Sequence, residues 1–377
     1  MTSAQPLRLF FDARYIRTDF HDGISRYSAE LAAAVSSAAA DAGVEVTFLV
    51  HDARQIPLLP DGAQTLAIHA PTSWREPFAA RLLNRFAPDV VFSPMQTIGT
   101  GGRRYRVILT LHDTIYYRHR TPPKDLPAPV RLGWRLFHLS YLPQRLTLNA
   151  ADVVATVSET SRRQFAAVNL TSRPVVVIPN APQRLADRLD GAAVDASGPV
   201  RNVVYMGSFM PYKNVGNLVR AMASLPGRTL HLLSRISAER RAELEAITPD
   251  GADVVFHNGV SDEEYARLLA ERAVLATTSL DEGYGLPIAE ALELGVPAVV
   301  TDLEIFREVA GDGALYVDPD DPRAFAAAVA KLDDPDVRAA TIAAGREHVA
   351  RFSWERSARI LLDTVRAMAP HPRAPRG

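Results

Sequence analysis

Residues 277–302, TTSLDEGYGLPIAEALELGVPAVVTD, constrain the chain more than any other stretch. They read as strand, glycine-bearing loop, short helix, turn and strand. An apolar run closes at residues 275–279. Gly283 and Gly285 then permit a loop whose backbone amides approach a ligand closely. Pro287 suits the first helical position, where its missing N–H costs nothing. Gly295 closes the helix, and residues 297–300 begin the next buried strand. A loop feeding a helix N-terminus offers unpaired N–H groups and a positive dipole end, which suits phosphate. Glu282 and Glu290 bracket that loop. Carboxylates repel phosphate, so their natural partners here are hydroxyls, for which an ionised carboxylate is a strong acceptor. Diphosphate on the amides, with sugar and ribose hydroxyls on the two glutamates, describes a nucleotide sugar. The other reading is a surface loop with a charged helix face.

Glu282 and Glu290 form E-x7-E inside EGYGLPIAEALELGVPAV. This closely resembles the signature of the retaining glycosyltransferases of family 4, whose fold is GT-B: α/β, with two Rossmann-like domains facing a central cleft. The resemblance implies that Glu282 lies near the donor sugar and that Glu290 holds the ribose. It extends over nearly the whole chain.

The 377 residues suffice for two domains with full cores. Apolar content of 47% and charged content of 23% are those of a soluble globular protein. The absence of cysteine excludes a disulfide framework, a thiolate metal site and a cysteine nucleophile. No signal peptide is visible, and no apolar run reaches about 18 residues. The expectation is a cytoplasmic protein without a membrane span, with peripheral membrane contact through the N-terminal half left open. Residues 1–183 carry 20 Lys and Arg against 14 Asp and Glu; the remainder carries 22 against 29. A basic first half suits an anionic acceptor or membrane surface, or is simply a spread of surface arginines.

Along the first half, strands are expected at residues 7–11, 44–50, 67–68, 89–93, 106–111, 153–157 and 175–178. Helices are expected at 24–40, 74–86, 130–149 and 159–167, the last capped by Ser158. The 74–86 helix, basic on one face, fits packing on the sheet better than membrane contact. The segment DGISRY sits at a strand-to-helix junction, where open α/β sheets bind ligands. There the resemblance implies a glycine close to the donor phosphates or the acceptor, and Gly23 fits. Arg26 in the first turn is an acceptor-side anion contact or a solvated residue. His112 ends a buried strand and points to a role at the reacting sugar, donating to a hydroxyl or orienting the acceptor, with Asp113 beside it. Residues 116–129 are proline-rich and suggest a mobile acceptor-side segment. SETSRRQF resembles the family's S-x-x-S-R segment. Ala181 stands where the family usually has glycine.

Residues 184–199 read as a linker. The second domain, 200–352, opens with a strand at 203–206 and the loop GSFMPYKN. The resemblance places Lys213 on the donor diphosphate. A diphosphate leaving group needs a cation, and a lysine at a helix start supplies one. Ser208 stands where many relatives carry a second phosphate-binding arginine. Base contact is implied near Asn258, Gly259 and Val260, while Phe256 reads as core. Asp318 and Asp320 form D-x-D before a helix, which suits turn and cap chemistry better than a metal. Residues 353–369 are expected as a helix crossing back to the first domain, and 370–377 as a disordered tail.

These readings converge on a metal-independent transferase that moves a sugar from a nucleoside diphosphate sugar to a saccharide or glycolipid. His112, Glu282 and Lys213 are the expected catalytic residues. Donor contacts fall to Gly23, Ser208, Lys213, Val260, Gly283, Tyr284, Gly285, Leu286 and Glu290. Arg26 and Asp113 face the acceptor. The HD and PYKN segments point to GDP-mannose by resemblance. A UDP- or dTDP-sugar transferase, a sugar-nucleotide epimerase and a non-catalytic binding protein are the alternatives. No nucleic acid partner or nicotinamide cofactor is expected, since no G-x-G-x-x-G follows the first strand.

Overall fold

A computed structural model describes residues 5–19, 23–122 and 128–368. The chain divides into two compact units, residues 1–180 with 353–377, and residues 181–352. The first contains seven strands: β1 (Leu7–Asp12), β2 (Val44–Val50), β3 (Gln64–Ala67), β4 (Val90–Ser93), β5 (Arg106–Thr110), β6 (Val153–Thr156) and β7 (Val175–Val177). They form one sheet in the order β3-β2-β1-β4-β5-β6-β7. Every pairing is parallel. Parallel strands covered on both faces must be apolar throughout, and LFF, VVF and VIL are such runs. Helix Gly23–Ala39 joins β1 to β2 and buries Tyr27, Leu31 and Val35 at four-residue spacing. Helix Trp354–Met368 belongs to the same unit: Ser357 donates to the Pro179 carbonyl at 2.7 Å, and Trp354 packs edge-on to Tyr27.

The second unit contains β8 (Asn202–Tyr205), β9 (Thr229–Leu232), β10 (Asp253–Phe256), β11 (Ala273–Thr277), β12 (Ala298–Thr301) and β13 (Ala314–Val317). Their order is β10-β9-β8-β11-β12-β13, again all parallel. The strand order reverses between β8 and β11. In open parallel sheets such a switch point leaves a crevice at the carboxyl ends of the strands.

Several expected elements differ. The 74–86 helix is broken into Glu76–Phe78, Ala79–Leu83 and Asn84–Phe86, of which only the middle piece is α. Pro77 opens the first piece, and Ala87, at φ 46°, ends the last. The 130–149 helix is two, Ala128–Phe137 and Leu142–Asn149. Pro143, in the first turn of the second, has no N–H to continue a ladder from the first. The third strand lies at Gln64–Ala67, an edge strand paired only with β2 and mostly exposed, which blurs its alternation. Residues 184–199 group with the second unit and hold a short turn of helix at Leu185–Arg188, with Leu185 and Leu189 buried. The expected tail and part of the expected mobile segment, residues 123–127, lie outside the described residues.

Candidate functional site

In the second unit, four loops leave the carboxyl ends of β8, β9, β10 and β11. The β8 loop is pinned first. Tyr205, at 1% exposure, donates its hydroxyl to the Ser208 carbonyl at 2.6 Å. Burial and then the Glu282 charge hold that phenol protonated well above its usual range. Gly207 N–H donates to Ser234 Oγ at 3.1 Å, tying this loop to the one after β9. The turn Pro211–Lys213 then ends at Asn214, whose left-handed backbone (φ 50°) redirects the chain into helix Val215–Ala221. Asn214 is held from both sides. Its amide donates to the Pro319 carbonyl at 2.8 Å, and its carbonyl accepts from Thr278 Oγ1 at 3.0 Å.

The β11 loop meets the β8 loop. Leu280 N–H donates to the Tyr212 carbonyl at 2.7 Å. Two residues on, Glu282 forms an ion pair with Lys213. Both side chains are largely buried, and the Lys213 ammonium also lies 5.3 Å from the Tyr212 ring centroid. The switch point thus brings together two of the three expected catalytic residues, 69 positions apart in the chain. Gly283, Tyr284 and Gly285 are buried. Gly285 has φ 96°, and a Cβ there would meet Phe306 at 3.1 Å and Ile288 at 3.2 Å, so glycine is required. It caps helix Leu286–Leu294, with Pro287 in the first turn and no side-chain cap. Tyr284 is 4% exposed and packs edge-on to Phe352, so this loop can offer a ligand its backbone rather than that ring. Glu290, at 2% exposure, is buried on the same helix.

The loops after β9 and β10 are bound to each other. Gly259 N–H donates to the Leu233 carbonyl at 2.8 Å, and Asn258 Oδ1 accepts from Ile236 N–H at 3.1 Å. Val260 is half-buried beside them. The aliphatic part of Arg235 lies against Gly259. Sequence reasoning missed Arg235; an arginine just past a buried strand was the available signal. It also missed a chain of imidazoles. His231 Nδ1 lies 3.0 Å from His257 Nε2, and His231 Nε2 lies 3.2 Å from Asn202 Oδ1. Phe256 packs against the core as expected. Ser208 is exposed. Asp318 accepts from Asp320 N–H at 2.8 Å and so serves its own turn, while Asp321 caps helix Pro322–Lys331.

The remaining expected residues lie in the first unit. His112 follows β5 and is half-buried, with its ring edge-on to Tyr27 at 5.1 Å. Its Nε2 lies 2.9 Å from the Pro94 carbonyl, which can only accept, so the proton sits on Nε2. The His112 carbonyl is held by Ser161 Oγ at 2.9 Å. Asp113 accepts from Ile115 N–H at 2.9 Å, where the short helix Ile115–Arg118 begins. Gly23 begins its helix with nothing within 4 Å of an added Cβ, and Arg26 is half-buried one turn on. At the β1–β4 switch point of this unit sits a buried cluster. Arg14 is paired with Asp12 at 2.7 Å and with Glu76 at 2.7 Å, and Ser93 donates to Asp12 at 3.0 Å. Burial alone would lower the Arg14 pKa, but the two carboxylates outweigh it and raise it.

The sequence matches two family descriptions, "Glycosyl transferase 4-like domain" over residues 22–181 and "Glycosyl transferases group 1" over residues 200–334. It is 29% identical over 273 residues to the O-antigen chain mannosyltransferase B of Escherichia coli, covering 67% of this chain and 68% of that protein. It is 29% identical over 219 residues to the O-antigen chain mannosyltransferase RfbU of Salmonella typhimurium, covering 56% and 58%. Among solved structures, the sucrose-phosphate synthase of Thermosynechococcus elongatus superimposes with a TM-score of 0.71 at 19% identity, covering 96% of this chain and 99% of that one. With both units matched in sequence and in fold, the chain belongs to the family 4 glycosyltransferases, hexosyl-transferring enzymes of the GT-B fold.

Proposed function

We propose that the chain is a retaining α-mannosyltransferase that takes mannose from GDP-mannose and passes it to a saccharide or glycolipid. The observation that carries the transfer reading is the Lys213–Glu282 ion pair at the crevice between β8 and β11, beside the amides that open helix Leu286–Leu294. A lysine held there by a carboxylate is a cation already placed for a diphosphate, which outbids one carboxylate by charge. Glu282, once released, accepts from a sugar hydroxyl, and Glu290 accepts from the ribose. The bond from C1 to the diphosphate oxygen breaks while the acceptor oxygen bonds to C1 on the same face, which retains the anomeric configuration. The departing diphosphate oxygen takes the acceptor's proton. Lys213 and the loop amides hold the negative charge that develops there. No metal is needed in this scheme. The mannose assignment is supported by the two similar O-antigen mannosyltransferases.

The test is a melting screen with GDP-mannose, UDP-glucose, UDP-N-acetylglucosamine and dTDP-rhamnose, run in EDTA. A donor at about 100 times its dissociation constant adds about 2.7 kcal/mol of stability. GDP-mannose is expected to give the largest shift, Lys213→Ala to abolish most of it, and His112→Ala to preserve it while lowering turnover. A larger shift with another donor would remove the mannose claim. A shift that survived Lys213→Ala would remove the diphosphate assignment, and turnover that needed added Mg²⁺ or Mn²⁺ would remove metal independence.

A further inference from the structure

A line of polar side chains crosses the second sheet and closes on one helix, Asp262–Ala270, which packs on β8 and β11. Asn202 lies opposite Thr229 on the neighbouring strand, and His231 stands two residues further along. His231 lies opposite Val255, and His257 stands two further again. Steps of two keep a strand's face, so Asn202, His231 and His257 form a diagonal on one side of the sheet. His257 N–H donates to the Leu232 carbonyl at 3.0 Å, which carries the ladder one residue past β10. The line starts at Glu271, the C-cap of the helix, and ends at Glu264 in its first turn.

Each hydrogen along the line has a direction. The Glu271 carbonyl can only accept, so it takes the Asn202 amide N–H at 2.8 Å and turns Asn202 Oδ1 toward His231. Oδ1 accepts from His231 Nε2 at 3.2 Å. Burial, then repulsion from His257, hold the His231 pKa below its ordinary value against the pull of Asp253. That ring is therefore neutral, and its Nδ1 accepts from His257 Nε2 at 3.0 Å. His257 Nδ1 ends the line, 3.4 Å from Glu264 Oε1. On a neutral ring it turns a lone pair to the carboxylate. With one added proton it donates to it. The charges around this pair are engaged elsewhere. Asp253, on the same face of β10, accepts from Thr229 at 2.6 Å, and Glu263 pairs with Arg188 at 3.3 Å. Arg241 pairs with Glu245 and lies on the Phe256 ring. Asp262 shares the first turn with Glu264, and Arg235 runs along Gly259.

Residues 258–261 run from His257 to the helix and include the stretch Asn258-Gly259-Val260, which resemblance assigns to the nucleotide base. Ser261 caps the helix by accepting from Glu264 N–H at 3.2 Å. Drawing Glu264 onto His257 therefore draws the two ends of the loop together. We infer that His257 is a positioning residue for this loop, and that one proton taken up between His257 Nδ1 and Glu264 fastens the loop when the donor binds. The inference rests on the nucleotide-sugar reading above and deepens it, since it makes donor affinity depend on protons.

Calorimetry tests it, with GDP-mannose and UDP-glucose titrated side by side at about pH 6 and about pH 8, across the imidazole range. A diphosphate diester stays fully ionised between those values, so any pH dependence belongs to the protein. Donor affinity is expected to be about five-fold higher at the acid value. Near neutral pH the heat should vary with the ionisation enthalpy of the buffer, which reports a proton taken up on binding. In Glu264→Gln the side-chain amide can donate to Nδ1 with no added proton. That variant should bind within about two-fold of the parent's acid value at both pH values, with no dependence on buffer. The Glu264 side chain is 46% exposed, so the fold tolerates the change. Parent affinity that ignores pH, a slope that persists in Glu264→Gln, or a variant fixed at the parent's weaker value would each overturn the inference. Proton-linked binding of UDP-glucose alone would remove the mannose assignment and leave the clasp standing. Binding of neither donor would remove both.

Discussion

Lys213 and Glu282 were each legible as single residues, one by its place at a helix start and the other by its spacing from Glu290. Their pairing was not, because it depends on β8 and β11 lying side by side. The pair makes Glu282 a competitor of the diphosphate for the same cation. Glu282→Gln should therefore tighten binding of free GDP about five-fold, the worth of roughly 1 kcal/mol of relieved repulsion. The same variant should lower turnover at least ten-fold, since the carboxylate is then missing from the sugar. Calorimetry with GDP and a steady-state assay separate the two effects. Weaker GDP binding in the variant would mean that Glu282 holds the nucleotide rather than guarding its place. His112 gives the matching lesson. A histidine after a buried strand is visible in sequence, but its tautomer is set by the Pro94 carbonyl, which arrives from a different loop.

At the level of elements, helix Pro335–Val349 lies over the turn Gly311–Gly313 with almost no space between them. A Cβ on Gly313 would fall 2.2 Å from the Gly345 Cα. Backbone cannot give way as a side-chain tip does, so Gly313→Ala should cost about 1–3 kcal/mol, read as a lower urea midpoint. An unchanged midpoint would show that the helix shifts freely. The strands of both sheets were readable from short apolar runs, because burial on two faces leaves no room for polar residues. The helical joins were less so. Breaks at Pro77 and Pro143 interrupt periodic segments that look continuous, and β3 carries half of its pattern into solvent.

For the whole molecule, acid should destabilise before the carboxylates titrate. Burial holds the His231 imidazole below its ordinary pKa, followed by repulsion from His257, with Asp253 opposing. Burial likewise lowers His138. A base with a lowered folded pKa binds its proton in the unfolded chain first. Stability is thus present above the ordinary imidazole range and falls as pH drops through it toward the folded value. The melting temperature should decline between about pH 7.5 and 5.5, and His231→Gln, whose amide takes up no proton, should flatten that decline. Equal slopes in variant and parent would clear His231 of the effect. The Arg14 cluster bears on a different question, that of exchanging parts between relatives. Glu76 lies 62 positions from Arg14 along the chain, yet it closes one buried knot with Arg14 and Asp12. A chimera whose crossover falls between positions 14 and 76 inherits both halves from different parents. Unless the second parent supplies Glu76, it carries the Arg14 guanidinium into the interior with Asp12 as its one counter-charge in place of two, so the workable seams of the first unit lie outside that interval.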